Sequence, residues 1–116
     1  MIRRRDVSCH EVVAAALARL DAVNPRINAV VRPLHDSALA EAVAADQALA
    51  RGAPAGPLHG VPITTKVNVD RAGSPTDNGV VAFKNLVATR DNPVAAEQHR
   101  ASGIRPGGPG TWANAA

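Results

Sequence analysis

One stretch decides how the middle of this chain folds: Gly56-Pro57-Leu58-His59-Gly60 hands directly to Val61-Pro62-Ile63-Thr64-Thr65 and ends on Lys66. Pro and Gly punctuate a loop, and the β-branched residues that follow fit a pleated, half-buried surface, so the stretch reads as loop and then strand over Val61 to Thr65. Lys66 falls at the strand end. A lysine drawn out of water loses solvation of its charged form, which moves its pKa down from about 10.4 and makes the amine a base. Lys66 is therefore a candidate catalytic base, and the competing reading is a solvated strand-end lysine, since most lysines are exposed.

Around this stretch the chain alternates helices and strands. Ser8-Cys9-His10-Glu11 fits a capping box, and Val12, Val13, Ala16, Leu17 and Leu20 follow at helical spacing, which predicts a helix from Cys9 to Val23 that Asn24-Pro25 ends. Ile27 to Val31 is a short apolar run that Pro33 interrupts, and it reads as a strand. A second, alanine-rich helix spans Ser37 to Arg51, with Leu39, Val43 and Leu49, and the small Ala42 and Ala50, on one side and Gly52 as its stop. Asn68 to Asp70 adds a short extended segment before a turn at Gly73-Ser74-Pro75. Asp91-Asn92-Pro93 then offers a cap and a first-turn proline for a third helix through Ser102. The order suits an α/β sheet covered by helices.

The eleven ordered residues from Gly56 to Lys66 resemble the stretch that holds the catalytic lysine of the amidase signature family. Val23-Asn24-Pro25-Arg26-Ile27-Asn28-Ala29-Val30-Val31 is similar to that family's N-terminal helix-to-strand junction, and Asn68-Val69-Asp70-Arg71-Ala72-Gly73-Ser74-Pro75-Thr76 to its downstream sequence. The resemblance covers about Ser8 to Gly103. It implies the N-terminal part of a mixed-sheet amidase fold, incomplete within this chain. It also implies hydrolysis of carboxamide C–N bonds by a Ser-cisSer-Lys triad in which Lys66 is the base, with a small-molecule amide as substrate and no metal or other cofactor. Two departures stand out. Val67 occupies a position where members commonly carry an acidic residue. Beyond Gly103, Pro106, Gly107, Gly108, Pro109 and Gly110 stand where the family continues into a hydrophobic strand and then into the serine-bearing segments. The expected organisation is thus residues 1–103 as the N-terminal part of an amidase domain and 104–116 as a disordered tail outside the family. Coding sequence around Gly103 that reads, in another frame, as an apolar strand followed by serine- and glycine-rich sequence is the expected mark of a truncated or frame-shifted amidase, and its absence favours a non-catalytic module.

The serines decide how much chemistry the chain holds. They are Ser8, Ser37, Ser74 and Ser102, and none lies in a glycine-flanked turn that presents a hydroxyl beside oxyanion donors. Ser8 and Ser37 read as helix caps, Ser74 as a turn residue, and Ser102 as a helix end. The triad is incomplete, and an inactive fragment is the expectation. The alternative is a non-catalytic remnant or a small helical interaction module.

Composition excludes several other classes. Aromatic residues make up 2% of the chain, Phe83 and Trp112, and alanine supplies much of the 46% hydrophobic fraction, so the expected core is thin. The net charge is +3, with Arg3-Arg4-Arg5 the one basic cluster of note and no aromatic platform beside it, which argues against a nucleic-acid module. Cys9 has no partner for an internal disulfide, and His10, His35, His59 and His99 are too scattered for a metal set. No glycine-rich phosphate loop suggests a nucleotide. No stretch reads as a signal peptide or a membrane span, and a cytoplasmic setting fits. An incomplete sheet exposes strand edges, so self-association is the expected risk.

Overall fold

The computed structural model describes residues 1–66, 68–76, 80–102 and 112–115, with residues 99, 102 and 112–115 as backbone only. Three helices and three strands alternate along it: α1 (Cys9–Ile27), β1 (Val30–Arg32), α2 (His35–Ala50), β2 (Ile63–Lys66), α3 (Pro93–Ser102) and β3 (Trp112–Ala115), with short 3-10 turns at Ile2–Arg4 and Val81–Phe83.

The start of α1 is fixed twice over. Ser8 Oγ accepts from Glu11 N–H at 3.0 Å, and the Glu11 carboxylate accepts from Ser8 N–H at 2.8 Å, which completes the capping box expected from the sequence. Asp46 of α2 supplies a second cap: its two carboxylate oxygens accept from Cys9 N–H at 2.7 Å and from His10 N–H at 3.0 Å. Free amides at a helix N-terminus favour a negative group. One side chain therefore both caps α1 and ties α2 to it. Between the two helices lies the core, made of Cys9, Val13, Ala38, Ala42 and Ala45, with Ile2, Leu17 and Leu39 packed against it.

α1 runs past its expected stop. Pro25 lies inside the last turn, and the helix ends at Asn28, whose φ of 46° is left-handed and whose N–H donates to Asn24 O at 2.7 Å. Pro25 cannot serve the carbonyl of Asp21, but both residues are exposed, so solvent can take that carbonyl and the cost of the missing bond is small. Asn24 then turns the chain: its side-chain amide donates to Val30 O at 2.8 Å and accepts from Val30 N–H at 2.9 Å, as a neighbouring strand would. The strand accordingly begins at Val30 and not at Ile27.

α2 begins two residues earlier than expected and, of the expected face, buries fully only Ala42. Its N-cap is Leu34, so Ser37 is not a cap; its hydroxyl donates back to Leu34 O at 3.2 Å from within the first turn. The buried side is Ala38, Glu41, Ala42 and Ala45, whereas Val43 is exposed and Leu39 only half-buried. Small side chains let α1 and α2 approach closely, and this selects the alanine face over the bulkier one.

The sheet has the order β1-β3-β2, with β3 antiparallel to β1 and parallel to β2. Ile63, Thr64, Thr65 and Lys66 pair with Trp112, Ala113, Asn114 and Ala115, and Ala115 also pairs with Val30. A parallel pair needs a long crossover, and α3 lies within it. Part of the segment expected to be disordered is thus the middle strand: Trp112–Ala115 finds ladder partners on both sides, which a Gly- and Pro-rich approach does not forbid once two edges are waiting. The rest of that segment, 104–111 and 116, lies outside the described residues, as does Val67.

Candidate functional site

Lys66 is the last residue of β2 and is exposed, while Thr65 before it is buried, as the alternation of a strand requires. The loop that delivers this strand is anchored on α2. His59 is buried, and its Nε2 donates to Ala45 O at 3.1 Å, so the proton sits on Nε2 and Nδ1 is left with no partner among the described residues. Gly60 follows with φ of +74°, and a side chain there would run into Cys9 Sγ. Backbone and thiol meet so closely that only glycine fits. Val61 N–H donates to Leu58 O at 2.9 Å, and Leu58 N–H donates to Ala101 O at 3.0 Å, which draws the end of α3 onto the same loop.

After Lys66 the chain turns instead of extending. Val69 N–H donates to Lys66 O at 2.9 Å, so Asn68 to Asp70 is not the short strand that the sequence suggests. Residues 70–76 are then zipped to residues 86–92. Asn92 N–H donates to Asp70 O at 2.8 Å, Gly73 N–H to Ala88 O at 2.9 Å, and Ala88 N–H to Ser74 O at 3.1 Å, while the Asp91 carboxylate accepts from Ala72 N–H at 2.8 Å. Pro75 and Val87 form an antiparallel bridge. The turn expected at Gly73-Ser74-Pro75 is present, with Gly73 at φ +75°.

Within this zipper lies a buried charge that the sequence did not single out. Arg71 is buried and donates from Nη1 to Ser74 Oγ at 3.1 Å. Burial lowers the guanidinium's pKa from its ordinary value, against the pull of the carboxylates of Glu41 on α2 and Asp91, which favour the charge. A buried cation holds its place only if opposite charge accompanies it. Nothing in local sequence marks this grouping of charge, because Glu41, Arg71 and Asp91 are far apart along the chain.

The serines are placed where they do structural work. Ser8 caps α1, and Ser74 is buried beneath Arg71, with its oxygen accepting from the guanidinium. The side chain of Ser102 lies outside the described residues. Two clefts, of about 320 and 220 Å³, open beside Ser8, Glu11 and Asp46 and beside Asp70, Thr76 and Arg90; Lys66 lines neither. Among the described residues no group of three His, Cys, Asp or Glu side chains is placed to hold a metal ion.

The family model for Amidase matches residues 11–110, which is most of the chain. The chain belongs to the amidase family. It is 50% identical over 103 residues to an indoleacetamide hydrolase of Bradyrhizobium diazoefficiens, and that match covers 89% of this chain and 20% of the relative. The fatty-acid amide hydrolase 2 of Homo sapiens is 35% identical over 103 residues, covering 83% of this chain and 19% of that protein. The solved structure of a bacterial aryl acylamidase of the amidase signature enzymes superposes on 97% of this amidase chain with a TM-score of 0.81 at 23% identity, using 22% of its own length. The chain therefore has the α/β fold of these enzymes and spans about a fifth of the length of the curated relatives it matches.

Proposed function

We propose that this chain is the lysine-bearing part of an amidase that cleaves carboxamide C–N bonds, with Lys66 as its catalytic base. In this reading residues 1–103 form the N-terminal part of an incomplete mixed-sheet domain. The observation that carries the proposal is the position of Lys66: it closes β2 on the exposed side of a strand whose entry is anchored on α2 through His59 and whose exit leads into a turn held by Arg71 and Ser74. Such anchoring fixes where the amine stands, as a base must be fixed to reach one proton. The amine would take a proton, through a bridging serine, from a nucleophilic serine that attacks the amide carbonyl. The proton would then pass to the leaving amine, and water would release the acid. Both serines of this Ser-cisSer-Lys triad would lie on segments beyond this chain, since Ser8 and Ser74 are engaged elsewhere. A small-molecule amide is the substrate class, and the setting is cytoplasmic; no helix among the described residues is long and apolar enough to cross a membrane.

Activity of the chain tests this reading. The purified 116-residue protein is expected to release no ammonia from simple carboxamides above the uncatalysed rate, because base, bridge and nucleophile act as a unit. A sulfonyl fluoride is expected to label no serine. Turnover that Lys66→Ala abolishes, together with stoichiometric labelling of Ser74 or Ser102, would place the whole triad in this chain and overturn the proposal.

A further inference from the structure

Two charged side chains are buried among the described residues, and they are of opposite sign. Glu41 of α2 and Arg71 of the turn after β2 are each 8% exposed. Glu41 falls on the same stripe of α2 as Ala38, Ala42 and Ala45, where helical spacing puts apolar side chains toward the core. An unaccompanied charge at either place would be strongly destabilising.

The charges around Arg71 say what accompanies it. Glu41 attracts the guanidinium most strongly, Asp91 next, and Arg32 at the end of β1 repels it, so two carboxylates and two guanidiniums balance. The turn closes around this group. Ser74, itself buried, accepts from Arg71 Nη1 at 3.1 Å, its N–H donates to Arg71 O at 2.9 Å, and the Asp91 carboxylate accepts from Ala72 N–H at 2.8 Å. Lys66 joins this turn directly: its carbonyl accepts from Val69 N–H at 2.9 Å, and Asp70 O accepts from Asn92 N–H at 2.8 Å. We propose that Glu41 and Arg71 form a buried ion pair that clasps the turn after β2 onto α2, which makes Arg71 a positioning residue for Lys66. The positioning role rests on Lys66 being the catalytic base, but the clasp itself is measured without any reaction.

Backbone hydrogen exchange of the full 116-residue chain, followed by NMR, tests the clasp. Glu41→Gln keeps the shape of the side chain, removes its charge and leaves the turn's own residues in place. It is expected to speed exchange of the Val69, Gly73 and Asn92 amides at least about tenfold, while the Val12 amide of α1 keeps its rate. In an Arg71→Met background, where the partner is already gone, the same change should leave exchange of those amides unchanged or slow it. Loss of the clasp should also move the Lys66 amine. After reductive methylation with isotope-labelled formaldehyde its NMR signal is expected to shift in Glu41→Gln, and Lys84→Arg separates it from the other lysine of the chain. The proposal is overturned if Glu41→Gln leaves the turn amides at the parent rate, if it speeds them equally in both backgrounds, or if α1 and the turn lose protection together. Turn amides that move without the Lys66 signal overturn the positioning role. A failure of Lys66 as the base would show in the turnover and labelling experiment alone and leaves the exchange result standing.

Discussion

The α1–α2 pair and the region from β2 to α3 are held together by different means. In the first, hydrophobic and polar contacts agree: a capping box, an aspartate bridging two helices and a buried cluster of Cys9, Val13 and alanines all fix the same arrangement. In the second, backbone hydrogen bonds and a buried arginine hold the loops, while the apolar side chains that could form a core point outward. Hydrogen bonds contribute roughly 1 kcal/mol each net, whereas burying one large apolar side chain contributes about 1.5–3 kcal/mol. The helix pair should therefore be the stable part of the chain, and the lysine-bearing region should depend on being attached to it.

Gly60→Ala attacks that attachment and has the largest expected effect. It forces a side chain into a left-handed position and against Cys9 Sγ, at a cost of about 3 kcal/mol. Thermal melting should show a clear fall in midpoint, and an unchanged midpoint would mean that the two regions do not touch as described. Cys9 reports on the same junction. Burial, with Asp46 beside it, pushes its thiol up to about 12. Since the thiolate is the nucleophile, alkylation by iodoacetamide at pH 8 should be at least about tenfold slower than in the urea-unfolded chain. The raised value contributes stability that is complete below the unfolded thiol's pKa of about 8.5 and is lost as pH rises from there towards the folded value.

Asp46→Asn comes next. It leaves one of the Cys9 and His10 amides with a neutral acceptor and the other with none, and should cost about 1 kcal/mol in urea denaturation. Burial raises the Asp46 pKa, but the hydrogen bonds from Cys9 and His10 outweigh it and hold the carboxyl below its ordinary value; those from Ser8 do the same for Glu11. Depressed carboxyl values contribute stability above the unfolded pKa of about 4 and lose it as pH falls through the folded values. The parent should thus weaken in acid, and Asp46→Asn should weaken less steeply. Phe83→Ser has the smallest expected effect, within about 0.5 kcal/mol for the isolated chain, because the ring is half in solvent. A larger loss would show that the second region has a core of its own and would erase the contrast between the two.

Local chemistry was legible in advance. The capping box at Ser8 and Glu11, the proline-started helix at Pro93, the turn at Gly73 and a strand ending in Lys66 each depend on neighbours within a few residues. The resemblance of Gly56 to Lys66 pointed to the amidase family, which the match over residues 11–110 shows. Other elements were illegible for a common reason. Asn24-Pro25 looked like a stop because the amide pairing of Asn24 with Val30 forms only once the chain has turned back. On the expected face of α2 only Ala42 is fully buried, because side-chain size points to Leu39 and Val43 whereas the close approach of α1 selects alanine.

By itself the sequence determined the capped start of α1, the proline-started α3, the turn at Gly73 and where the lysine stands at the end of β2. Tertiary structure alone decided that Asp46 caps α1, that Arg71 is buried with Glu41 and Asp91 near it, and that Trp112–Ala115 becomes the middle strand. Caps and turns are settled by bonds between near neighbours, which composition and spacing record. A buried ion cluster or a strand between two others joins residues tens of positions apart, and its free energy exists only after the chain has closed those loops.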